Sequence, residues 1–162
     1  MKDSETIEHE YPMRHKNRLM STKEARALLE RADYGVLSTT DVEARTYGTP
    51  LNFCVIDESI CFHVALDGRK IDNFATTHEA SFCIVERAEI LPEHFTCVFE
   101  SVIAEGPLSE AFDEEKHIIL TGLVEKYSPA YRKEGGPHIE RYLAACRTFR
   151  MRIARISGKR KV

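Results

Sequence analysis

The sequence predicts a mainly β, α+β domain in which antiparallel strands pair with their neighbours along the chain and a few helices lie at the flanks. Three observations carry this reading. Apolar residues alternate at a period of two through most runs after residue 35, the breaks between those runs are too short for helical crossovers, and helical spacing is confined to a few stretches between them.

The elements follow in order. Ser21 with Glu24 makes a capping box, and Ala25, Leu28, Leu29 and Ala32 share one helical face, so a helix runs to about Asp33 with Gly35 as the glycine beyond its end. Gly35 to Thr40, Tyr47 to Ile56 and Ile60 to Ala65 then read as a meander, with a tight Asp57-Glu58-Ser59 turn. Pro50 within the second run removes a ladder donor, which places that strand at an edge or a bulge. Gly68, Arg69 and Lys70 open a short helix, with apolar Ile71, Phe74 and Ala75 at helical spacing.

Strands resume from Ala80 to Val85 and from Phe95 to Ala104, the latter ending at Gly106-Pro107. Asp113 to Lys126 reads as an amphipathic helix, acidic at its start and stopped by Tyr127-Ser128-Pro129. A loop through Gly135-Gly136-Pro137 leads to a short helix near Ile139 to Ala145, and Phe149 to Ile156 forms a last strand. Residues 1–18 lack periodicity and are read as an N-terminal arm, leaving 19–162 as one domain.

Composition narrows the function. The chain has 162 residues and a net charge of −3, so nothing draws it as a whole to nucleic acid or an anionic membrane, and the basic Lys159-Arg160-Lys161 run reads as a solvated end or a minor subunit contact. No apolar run approaches the roughly 20 residues of a membrane span. The acidic, polar beginning is unlike a secretory signal, so a cytoplasmic location is expected. Five cysteines without a CxxC are read as reduced and mostly buried.

One stretch has the chemistry of an anion site. A glycine and two cations at a helix start bring free N–H groups, the positive dipole end and full charges together, which suits a phosphate; the same spacing also suits a solvated turn. Ser38, Thr39 and Thr40 offer hydroxyls to a ligand, or are plain β-formers. His63 lies two residues after Cys61 on one strand face; further metal ligands at a recognised spacing are missing, so no metal is expected, and the imidazole is read as a proton-transferring group or a structural histidine. No nucleophile motif and no paired carboxylates stand out.

Taken together, the helix from Ser21 to Asp33, then YGVLSTT, YGTPLNF, ICFHVALDGRKIDN, SFCIVE and FESVIAEGP resemble the flavin proteins related to pyridoxamine 5′-phosphate oxidase. The likeness is to the 5-nitroimidazole reductase and antibiotic-resistance branch, and it covers roughly residues 14 to 158 through the closing ISGK. It implies an FMN-binding split β-barrel of about six strands with flanking helices. It also implies a homodimer with FMN at the subunit interface.

By position, the resemblance makes Arg69 and Lys70, with Gly68, the phosphate ligands, with Asn73 one turn further on. Ser38, Thr39, Thr40, Pro50, Leu51 and Asn52 line the isoalloxazine and ribityl chain, Glu100 and Ser101 reach the partner's flavin, and His63 matches a histidine found before the phosphate loop. Arg14, Lys16 and Arg18 lead to the expectation that the arm folds over the partner's site. An arginine- and histidine-rich C-terminal motif is missing, which argues against vitamin oxidation. The expected activity is electron transfer from a reduced nicotinamide through FMN to a small acceptor such as a nitroaromatic. The alternatives are a non-catalytic flavin or haem binder with His63 as iron ligand, and a deazaflavin-using reductase.

Overall fold

The computed structural model describes residues 14–162. Eight antiparallel strands are ordered β2-β1-β5-β6-β7-β4-β3, with β8 pairing to β6 off that path, and the sheet curls into an open, split barrel with four helices. The strands are β1 (Gly35–Thr40), β2 (Thr46–Leu51), β3 (Cys54–Ile56), β4 (Ser59–Val64), β5 (Glu79–Leu91), β6 (Thr96–Ala111), β7 (Arg147–Arg152) and β8 (Arg155–Lys161). The helices are α1 (Thr22–Arg31), α2 (Arg69–Phe74), α3 (Asp113–Tyr127) and α4 (Arg132–Tyr142). Of the expected arm, residues 1–13 lie outside the described part; Lys16–Arg18 forms a 3-10 turn and Leu19 bridges to Lys159.

The capping box is formed: the Ser21 hydroxyl accepts from the Glu24 N–H at 3.3 Å, and the Ser21 N–H donates to the Glu24 carboxylate at 2.8 Å. α1 buries Ala25, Leu28 and Leu29, and the two leucines contribute roughly 1.5–3 kcal/mol each by leaving water. They join Leu37, Phe53, Phe62, Phe82, Val102 and Met151 in the main core, while Cys54, Cys61, Ala111, Ile119 and Leu123 form a second cluster against α3.

Several expectations change, each for a tertiary reason. α1 ends at Arg31 with Ala32 extended, and Gly35 belongs to β1; a Cβ there would lie 2.2 Å from the Phe82 ring, so close packing explains the glycine. The run from Tyr47 to Ile56 splits into β2 and β3 because Tyr127 Oη takes both backbone groups of Phe53. β5 continues to Leu91 past a bulge between Glu86 and Glu89.

Gly106-Pro107 does not end β6. There the strand leaves its pairing with β5 and β8 and joins β7 from Leu108 onward, and a Cβ on Gly106 would lie 1.9 Å from the Arg152 carbonyl oxygen. The Gly-Gly-Pro segment is helical within α4, not a loop, because Gly135 fits against Val124 of α3, 2.6 Å from where its Cβ would be. The final strand is two, β7 and β8, and with the split at Phe53 these raise the count from about six to eight.

Other readings hold. Pro50 lies on β2, the edge of the sheet. Asp57 and Glu58 both take positive φ, 44° and 60°, as a tight two-residue hairpin turn requires.

Candidate functional site

A cleft of about 800 Å³ opens where the end of β4 meets α2, α3 and α4. Along α3, Leu120, Leu123, Val124 and Tyr127 follow helical spacing and give it an apolar wall; His138, Ile139 and Tyr142 of α4 form another. His63, Val64, Ala65 and Lys70 come from the β4–α2 junction, and among the described residues no carboxylate lines the cleft.

The junction is built by alternation and one glycine. Every residue of β4 is buried except His63, which opens to the cleft. Gly68 takes φ +110°, a backbone region that side chains rarely occupy, and its carbonyl accepts from the N–H groups of Ile71 and Asp72 at 2.8 and 3.2 Å, starting α2. Solvent reaches His63, yet the cleft walls remove enough water that desolvation, and then the Lys70 cation, hold its pKa below the ordinary imidazole value.

The thirteen residues singled out from the sequence do not converge on one place. His63, Lys70 and Asn52 line the cleft, and Asn52 also donates to the Asp33 carbonyl at 3.2 Å. Arg69 turns away, its guanidinium 4.3 Å from the Tyr47 ring centroid. Thr39, Leu51 and Asn73 are buried: Leu51 is in the core, and the Asn73 amide donates to the Thr39 hydroxyl at 3.1 Å, tying α2 to β1.

Ser38, Thr40 and Pro50 are exposed on the other face of the sheet, and Ser101, half-buried, shares that face by strand register. Ser38, Thr39 and Thr40 border a smaller depression of about 260 Å³ beside Arg155, which is ion-paired to Glu79 at 3.1 Å and Glu105 at 3.3 Å. Glu100 is engaged within its own chain, 2.6 Å from Arg31 and 3.7 Å from Arg160.

The α4 wall was missed from the sequence because Gly-Gly-Pro reads as a loop; the signal that could have found it is the one-turn spacing of His138 and Tyr142 around apolar Ile139. Cys61, two residues before His63, lies in the second core cluster. Among the described residues no group of three His, Cys, Asp or Glu side chains is placed to hold a metal ion.

A curled, open antiparallel sheet with flanking helices is a split barrel of the α+β class. The chain belongs to the pyridoxamine 5′-phosphate oxidase family, whose model matches residues 21–160. No curated protein sequence matches it. Solved structures share the fold. The conserved hypothetical protein Rv2991 of Mycobacterium tuberculosis is similar at 19% identity over 91% of this chain and 90% of that one, with a TM-score of 0.77. A candidate 5-nitroimidazole antibiotic resistance protein of Bacteroides thetaiotaomicron is similar at 18% identity over 87% and 85%, with a TM-score of 0.71. An FAD and heme binding protein of Mycobacterium smegmatis is similar at 15% identity over 87% and 71%, with a TM-score of 0.74.

Proposed function

We propose that the cleft binds FMN and that the protein is a flavin-dependent oxidoreductase, taking electrons from a reduced nicotinamide and passing them to a small acceptor such as a nitroaromatic. One observation carries this: a cleft with apolar helical walls and a cation and an imidazole at one end fits a planar ring bearing a phosphate. Family membership and flavin-binding neighbours support it.

Lys70 would hold the phosphate by charge-assisted hydrogen bonds, and Arg69 would join it by leaving Tyr47. The α3 residues Leu123 and Val124 would keep water from the ring, and His63, whose pKa desolvation and Lys70 lower, would give or take a proton at the cleft edge. FMN, when bound, would supply the two-electron chemistry.

The assembly we propose is a homodimer through the outer sheet face. Strand register aligns Pro50, Val36, Cys83 and Ile103 in one row across four strands, with Val85 in the next row. Val36, Ile103 and Val85 are 39%, 44% and 59% exposed, a concentration of apolar surface on one face that a second copy would cover. Ser38, Thr40 and Ser101 then lie at the subunit boundary. A cytoplasmic setting suits the five free cysteines, and among the described residues no helix is long and apolar enough to cross a membrane.

A second reading, haem binding, is favoured by His63 and His138 lining the same cleft, and by the haem-binding neighbours. The test is reconstitution with FMN, removal of excess, and anaerobic titration with NADH or NADPH. Flavin bands that bleach support the oxidoreductase; a protein that retains no FMN overturns it. A Soret band after haem addition that disappears in His63→Ala supports the second reading, and a deazaflavin spectrum on purification would replace both.

A further inference from the structure

One wall of the cleft is more aromatic than a flavin phosphate site requires. His138 and Tyr142 stand one helical turn apart on α4, with ring centroids 4.7 Å apart and planes inclined by 46°. Both border the cleft, yet Tyr142 is 49% exposed, so half of a large ring faces open space beside apolar walls. The pair is held in place: Ile139 between them is buried, and Gly135 sets α4 so close to Val124 that any side chain there would collide. Lys70 and His63 belong to the β4–α2 junction, so the charged groups and the ring pair come from different elements.

We propose that His138 and Tyr142 form a stacking platform for the ring of a planar heteroaromatic substrate, and so select aromatic acceptors over aliphatic ones. The proposal rests on the reading of the cleft as a flavin site and names what lies beside the flavin. Both residues are positioning residues: the ring stacks offset on Tyr142 and meets the inclined His138 ring at an angle, contacts that are sensitive to planarity and indifferent to the reacting group. Lys70 and the apolar α3 wall border the same cleft, which suits an electron-poor ring with a partially negative nitro group.

The test is a binding titration of the oxidised, FMN-loaded protein with a 5-nitroimidazole, without reductant, followed through the flavin absorbance. Nitroethane serves as the aliphatic control. Stacking of this kind predicts that Tyr142→Ala weakens nitroimidazole binding about 3- to 10-fold, and His138→Ala by a similar or smaller factor. Tyr142→Phe should stay within about twofold of wild type, as should the binding of nitroethane by all three variants. Unchanged nitroimidazole binding in Tyr142→Ala, or an equal loss for nitroethane, overturns the platform while leaving the flavin reading intact. A wild type that takes up no FMN removes the flavin reading instead; calorimetric titration of that apoprotein then supports the platform if Tyr142→Ala weakens ring binding, and overturns it if wild type and variant do not differ.

Discussion

The Arg69 guanidinium sits over the Tyr47 ring, 4.3 Å from its centroid, while the next residue, Lys70, turns into the cleft. Adjacent cations therefore sit differently: one packs α2 against β2 and the other lines the cleft.

Lys70→Ala is expected to weaken FMN binding about 10- to 100-fold, the loss of one charge-assisted hydrogen bond. Riboflavin, which lacks the phosphate, should lose little. Arg69→Ala should cost less than Lys70→Ala. Flavin fluorescence titrations read all of these, and an equal loss for riboflavin would show that Lys70 only shapes the cleft.

Tyr127 joins three segments through one hydroxyl, which accepts from the Phe53 N–H at 3.0 Å and donates toward the carbonyls of Asp33 at 2.7 Å and Phe53 at 2.8 Å. Tyr127→Phe leaves these backbone groups short of a partner, so a loss of about 1–3 kcal/mol is expected in urea unfolding. A variant as stable as wild type would mean that water replaces the hydroxyl.

Gly106→Ala places a methyl against the Arg152 backbone at the strand crossover, where no flexible side chain can yield. The expected loss lies at or above the upper end of the roughly 1–3 kcal/mol usual for overpacking. Thermal melts, or failure to obtain soluble protein, would report it; a wild-type melting temperature would contradict the crossover geometry.

These positions show which parts of the fold were readable beforehand. Ser21 and Glu24, or Asp57 and Glu58, act on their own neighbours, so their meaning is contained in a few consecutive residues. Gly35, Gly106 and Gly135 look like breakers by the same local logic, yet each is small because a distant residue, Phe82, Arg152 or Val124, comes close. The site divides likewise. His63 and Lys70 flank one loop and were found together, whereas His138 and Tyr142 reach the cleft only through the packing of α4 on α3.

Stability should respond to pH through His63. Its folded pKa is depressed, so as pH falls below about 6.5 the unfolded chain binds the proton first. The stability present above that pH is lost progressively as pH falls through the folded pKa. His63→Gln cannot titrate, so wild type should lose more stability than the variant between about pH 7.5 and 5.5, as urea midpoints would show. Parallel profiles would mean that the imidazole titrates freely.

Burial pushes the thiols of Cys54 and Cys61 up to about 11 and about 12. Both should resist iodoacetamide at about pH 8 in the folded protein and react on unfolding. Cys97 and Cys146 are only partly buried and should be labelled first. Mass spectrometry of the labelled peptides decides this, and early labelling of Cys61 would contradict its place in the second core cluster.

The position of β7 governs when this chain can fold during synthesis. β7 lies between β6 and β4 and joins the group β2-β1-β5-β6 to the group β4-β3, yet it begins only at Arg147. A nascent chain halted before that residue would hold two sheet fragments with unpaired edges facing each other and no strand to bridge them. Closure must wait until residues 147–152 clear the ribosome, and until then the edges of β6 and β4 are open to pairing with other chains.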